Sequence, residues 1–95
     1  MAAGDVYAGI SSIANNAYLD IQPSSGVEVV IHDVYYPGAV EFHFYDGTND
    51  INFDSDSSAG ARFGMTWHCT NSVRVRVKNT SGSTMLIGYG GVQTK

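Results

Sequence analysis

Val27-Glu28-Val29-Val30-Ile31-His32-Asp33-Val34-Tyr35-Tyr36, then Pro37-Gly38, then Ala39-Val40-Glu41-Phe42-His43-Phe44-Tyr45-Asp46 is the stretch that decides the fold. β-Branched and aromatic residues fill both runs. The Pro-Gly pair between them is turn chemistry, because proline presets one backbone angle and glycine accepts a positive φ. The apolar pattern has period two, and helical spacing is almost absent. Downstream, Asp46-Gly47-Thr48-Asn49 is a second turn, leading to a short strand at Ile51 to Phe53 and a polar loop from Asp54 to Gly60. Strands then read at Arg62 to His68, Ser72 to Lys78 and Thr84 to Gln93, separated by turns at Cys69-Thr70-Asn71 and at Asn79 to Gly82. Upstream, Pro23-Ser24-Ser25-Gly26 is a turn, Ala17 to Gln22 a strand, and Val6 to Ile13 a first strand weakened by Gly9. The expectation is all-β: a single-domain β-sandwich or jelly roll of seven or eight short antiparallel strands spanning 1–95, with 1–16 an arm or edge strand.

With Pro37-Gly38 as the centre of a hairpin, the two runs pair symmetrically about it. Val29, Ile31 and Tyr35 then share a core face with Val40, Phe42 and Phe44. The opposite face carries Glu28, Val30, His32, Val34 and Tyr36 beside Glu41, His43 and Tyr45. Half of that face is apolar or aromatic, so it is expected to be covered by another strand layer or another subunit. His32 and His43 fall opposite each other in this register, with Glu41 two residues from His43. Such a set suits Zn²⁺ or a pH-sensitive contact, and equally suits two histidines simply paired on a half-buried sheet.

The charges are divided along the chain. All nine carboxylates lie at or before Asp56 and all five basic side chains at or after Arg62. Unless the fold interleaves them, the domain presents an acidic part and a basic part, a pattern that steers protein–protein contact. Arg74, Arg76 and Lys78 alternate with Val73, Val75 and Val77, which places the cations on one strand face about 7 Å apart and the valines on the other. This ridge is expected to meet an acidic patch on a neighbouring subunit or lattice protein; the alternative is a solvated outer strand.

Asp46, Asp50, Asp54 and Asp56 crowd one region with several Ser, Thr and Asn residues, oxygen ligands of the kind Ca²⁺ takes. Asp54-x-Asp56-x-Ser58 begins like a calcium loop, but Ala59 stands where that loop needs glycine and Met65 where it needs a bidentate glutamate. The plain alternative is a solvated loop that keeps an edge from pairing. His68-Cys69 is no catalytic pair, because neighbours on a strand point to opposite faces. No nucleophile elbow, phosphate loop or paired cysteine is present, so no catalytic residue and no cofactor are expected.

Composition bounds the rest. The hydrophobic fraction of 43% excludes disorder, and a charged fraction of 15% is low enough to suggest an exterior partly covered by something else. The net charge of −4 argues against nucleic acid as a partner. Cys69 is alone, so no intramolecular disulfide forms. No run approaches a membrane span and Met1 to Asp5 shows no signal peptide, so the reading is a product made in the cytoplasm, without a membrane partner. The sequon Asn79-Thr80-Ser81 is set aside on the same ground.

Two stretches resemble a known group. Tyr18-Leu19-Asp20-Ile21-Gln22-Pro23-Ser24-Ser25-Gly26 with Val27-Glu28-Val29-Val30-Ile31 is similar to the opening of small β-sandwich proteins encoded among the virion genes of tailed phages. Val75-Arg76-Val77-Lys78-Asn79-Thr80-Ser81-Gly82 through Ile87-Gly88-Tyr89-Gly90-Gly91-Val92-Gln93 looks like their closing strand pair, and the Asp46-Gly47-Thr48 turn fits. The resemblance implies a capsid decoration (cement) protein of a bacteriophage, a homo-oligomer and typically a trimer, bound to the major capsid protein lattice on the virion surface. It carries over no site residues. Face and charge arguments instead give the expected interface: Val30, His32, Val34, Tyr36, Glu41, His43, Tyr45, Arg74, Arg76 and Lys78. The rival expectation is a glycan- or calcium-dependent binding module of a tail tip or adhesin, using Tyr35, Tyr36 and the aspartate loop.

Overall fold

A computed structural model describes residues 3–95, all of them in strands and their connections. The strands are β1 (Val6–Ile13), β2 (Tyr18–Asp20), β3 (Glu28–Tyr36), β4 (Val40–Tyr45), β5 (Asp50–Asp56), β6 (Gly60–Thr70), β7 (Arg74–Asn79) and β8 (Met85–Gln93). They form two four-stranded antiparallel sheets, A in the order β1-β8-β3-β6 and B in the order β2-β7-β4-β5. The first strand pairs with the last, β2 with β7, β3 with β6 and β4 with β5. The chain is therefore one long double ribbon whose tip is the Asp46–Asn49 turn. It is wound so that β3 also meets β8 and β4 also meets β7. This is the jelly-roll form of the sandwich.

The Pro37-Gly38 hairpin is not formed. Here the chain passes from sheet A to sheet B, so β3 and β4 lie in different layers and share no ladder. A turn signal fixes where a chain bends, and the bend serves a crossing between sheets as well as a hairpin. At Gly38 an added Cβ would lie 3.1 Å from both Met85 Sδ and Ser81 Cβ, so a side chain there would have to push these neighbours aside. His32 and His43 are therefore on separate sheets, and the expected imidazole pair does not exist.

A second correction concerns faces. Against β8, the register shifts between Ile31 and Asp33, with His32 as the extra residue of a bulge. One extra residue reverses the alternation. Val29 and Ile31 point inward before it, and Val34 and Tyr36 point inward after it, buried with Phe42, Val75, Val77 and Ile87. Tyr35 is thrown outward, 45% exposed. Val34 and Tyr36, expected on an interface, are core residues. Phe44, expected in the core, is 42% exposed.

Asn79, wholly buried, closes the end of the sandwich. Its Nδ2 donates to the Ile13 and Ser83 carbonyls at 2.7 and 2.8 Å, and its Oδ1 accepts from Ser81 N and Oγ at 2.9 and 2.7 Å. The sequon asparagine is thus a structural clasp. The strands also run further than expected: β5 extends through Asp56, and β6 carries Cys69 and Thr70.

Gly91 faces the bulge. An added Cβ would lie 2.1 Å from the Val30 carbonyl oxygen and 2.9 Å from Ile31 Cα. Gly91→Ala is expected to cost roughly 2–3 kcal/mol and lower the melting temperature by about 10 °C or more. Gly88→Ala, whose nearest neighbour is the movable Ile10 side chain at 3.2 Å, should lose less than half of that. Equal losses would mean that the bulge does not impose the glycine.

Burial pushes the phenols of Tyr7 and Tyr36 from 10.0 up to about 12, assisted by Tyr89 in the first case and by the hydrogen bond to Asp56 in the second. Stability owed to these neutral phenols is intact below pH 10. Between pH 10 and about 12 the unfolded chain releases protons that the fold retains, so stability falls as pH rises. Denaturant melts across this window should show a shallower alkaline decline for Tyr36→Phe than for the parent; an unchanged slope would remove Tyr36 from the account.

Candidate docking surface

The two outer faces differ in kind. On sheet B, strand alternation turns Val75 and Val77 inward and Arg74, Arg76 and Lys78 outward, as the sequence pattern requires. Glu41, His43 and Tyr45 from β4 stand beside them, opposite Lys78, Arg76 and Arg74 in turn. Asp20 of β2 closes the group: its Oδ1 lies 3.0 Å from Arg74 Nε and 2.8 Å from Arg76 Nε. The Arg76 Nε–H finds no hydrogen-bond acceptor, so its pairing with Asp20 is ionic. Arg76 also reaches Asp50 at 3.4 Å, and its guanidinium lies 3.9 Å from the Tyr18 ring centre and 4.5 Å from that of Tyr45. The ridge is bound up with the chain's own carboxylates and rings.

His43, only 8% exposed, sits within this network. Its Nδ1 is 2.6 Å from Asp50 Oδ1 and its Nε2 is 3.0 Å from Glu41 Oε1. The ring bridges two carboxylates on opposite sides, so these groups do not converge on a point where an ion would sit. Among the described residues no group of three or more His, Cys, Asp or Glu side chains is placed to hold a metal.

The aspartates expected near a calcium loop are likewise committed elsewhere. Asp46 Oδ1 accepts from Thr48 N and Asn49 N, bonds that hold this carboxyl below the ordinary range. Asp50 serves His43 and Arg76. Asp54 pairs with Arg62 Nε at 3.1 Å, and Asp56 accepts from the Tyr36 hydroxyl at 2.8 Å. The aromatic pair of the glycan reading is split, with Tyr36 inside and Tyr35 outside. Burial pushes the Cys69 thiol up, and His68 points away from it on the exposed side.

The acidic and basic parts expected from the sequence are thus folded together. Arg62 meets Asp54 and Asp56, Arg74 and Arg76 meet Asp20, and Lys95 meets Glu28 at 3.6 Å.

Sheet A's outer face is the opposite case. Register places Val6, Val92, Val30 and His68 in one row across it. Ala8, Gly90, Asp33 and Phe63 form the next, and Ile10, Gly88, Tyr35 and Ala61 the one after. Val6 is 73% exposed, Ile10 74% and Phe63 71%, and Leu86, one row further on opposite Ser12, 58%; none of these rows holds a lysine or arginine. Gly88 and Gly90 floor a trough of about 810 Å³ between the Ile10–Leu86 side and Tyr35. Asp33 is the one carboxylate in these rows, and a hydrogen bond with it raises the Tyr35 phenol. Of the expected interface residues only Val30 belongs to these rows, itself 8% exposed; His32 projects from the bulge. Sequence reading missed Val6, Ile10, Phe63 and Leu86, because apolar residues on both faces of a strand look the same as core on one. A second apolar cleft, about 660 Å³, opens between the sheets beside Phe44, Ile51, Phe53 and Trp67.

Asp20 holds two arginines that are only 12% and 19% exposed, whereas Glu28 and Lys95 are 48% and 72% exposed. Asp20→Asn is expected to destabilise by about 1–3 kcal/mol and Glu28→Gln by less than about 0.5 kcal/mol, read from denaturant midpoints. Similar small effects would show the sheet B network to be energetically idle.

No known protein family matches the chain, and a search of curated proteins returns no match.

Proposed function

We propose that this domain is a non-catalytic structural protein of a virion surface, of the capsid decoration type, and that it applies the outer face of sheet A to the shell. The observation that carries the docking part is the apolar face itself. Val6, Ile10, Phe63 and Leu86 stand at 58% exposure or above on one surface, whereas folded monomers seldom leave large contiguous apolar patches in water. The virion part is supported by the resemblance of residues 18–31 and 75–93 to phage virion sandwiches. The jelly roll is a fold used by shell proteins, among others, and does not decide function alone.

The mechanism is clamping. An oligomer laid across junctions between capsid subunits removes its apolar face from water, and that gain must be returned before the shell opens there. Repetition over a lattice multiplies modest single contacts through effective concentration. Sheet B, whose Arg74 and Arg76 are paired within the chain, is the side left to solvent.

The test is Phe63→Lys combined with Leu86→Lys. Both side chains project from the trough's surroundings into water, so the melting temperature should stay within a few degrees. Occupancy on gradient-purified particles should fall at least about tenfold, equivalent to 1.4 kcal/mol. Mass spectrometry of such particles from the source of the gene is the prior check: this chain at a fixed ratio to the shell protein supports the reading, and its absence ends it.

A further inference from the structure

We infer that two copies of this chain pair through their β1 edges, antiparallel about a twofold axis, joining two A sheets into one continuous sheet. The inference rests on the docking reading for its purpose, a doubled apolar face, while its geometry stands on β1 alone.

An exposed edge strand offers unpaired amide and carbonyl groups to any other strand, and folded proteins blunt such edges. The described residues present four of them, at β1, β6, β2 and β5. Strand β2 is only three residues long. Strand β5 carries Asp50, Asp54 and Asp56 and is broken by a register shift opposite Phe42 and His43. Strand β6 carries Arg62 and is interrupted at Gly64, whose φ is 70°. Strand β1, Val6-Tyr7-Ala8-Gly9-Ile10-Ser11-Ser12-Ile13, has no charge, no proline and an unbroken register over eight residues. It is the one edge left unguarded.

Backbone parity shows which groups it offers. Gln93 N–H donates to the Asp5 carbonyl at 2.9 Å and Gly4 N–H to the Gln93 carbonyl at 2.6 Å, the bulge made by a glycine at φ 90°. Asp5 therefore bonds toward β8, and so do the odd-numbered residues after it. Val6, Ala8, Ile10 and Ser12 turn their amides and carbonyls to the open side. These residues also carry the side chains of the apolar face.

The pattern of side chains selects a second copy as the occupant. Placing Ala8 opposite Ala8 sets Val6 opposite Ile10 on both sides of the axis. The two most exposed large apolar side chains, at 73% and 74%, then cover each other twice. On the inner side Tyr7 meets Gly9, a large ring against no side chain, also twice. With no charge on the strand, no like-charge pair arises. About six interstrand hydrogen bonds form, all from groups that β8 does not use.

The experiment is sedimentation velocity on the full chain over a concentration series, with Ala8→Pro and Ala8→Cys. The proline removes an N–H that faces the open edge and leaves the β8 ladder intact. The parent should show a monomer–dimer equilibrium, and Ala8→Pro should weaken it at least about 100-fold with the melting temperature retained. Ala8→Cys reports even if the proline variant fails to fold: opposed Cα atoms at about 5.5 Å lie within disulfide reach, so mild oxidation should give a covalent dimer. Cys69 is buried and stays silent. A parent that is monomeric at every concentration overturns the inference, as does an oligomer, trimer included, that Ala8→Pro leaves intact and Ala8→Cys does not cross-link. If the β1 variants change nothing while Phe63→Lys with Leu86→Lys strips the protein from particles, the docking reading survives without this pairing. The reverse result keeps the dimer and removes the docking reading.

Discussion

The structure depends on the chain pairing with itself from end to end about one turn. At Asp46–Asn49 the Asp46 carboxylate takes both following amides, at 2.9 and 2.6 Å, and Gly47 supplies a φ of 95°. Once this tip is closed, β4 has β5 beside it, then β3 meets β6, β2 meets β7 and β1 meets β8. That mirror order, with its winding, leaves β1 at an edge of sheet A beside β8.

The same order brings part of the divided charge together. Strand β7, which holds three of the five basic side chains, lies between two strands of the acidic half, β2 and β4, whereas β4 and β5 pair one acidic stretch with another. Asp20 is directly opposite Arg76, and Glu41 directly opposite Lys78. Such pairs favour the native neighbours of β7. Arg74 and Arg76 are thereby paired within the chain, which is why the docking face is proposed on sheet A and not on sheet B.

Much of the fold was legible. The strands, the turns at Pro23–Gly26 and Asp46–Asn49, and the opposed faces of Arg74, Arg76 and Lys78 against Val75 and Val77 all follow from period-two spacing and turn chemistry. Partnership between strands was not. Pro37-Gly38 says that the chain bends without saying whether it returns along the same sheet or steps to the other. The bulge at His32 left no mark in the local pattern, yet it exchanged the roles of Tyr35 and Tyr36. Its only trace is remote, at Gly91, which must lack a side chain to pass the Val30 carbonyl. The apolar face of sheet A was hidden for a related reason: Val6, Ile10 and Leu86 are solvent-facing residues with the chemistry of core.

Pairing the first strand with the last also sets an order in time. As the chain leaves the ribosome, β4 and β5 can close early, since their connection is short. The segment Val6–Ile13 is made before the other strands and must wait for Met85–Gln93, the last of them, before it has its native neighbour. During synthesis this uncharged strand is therefore also the one that waits longest for its partner.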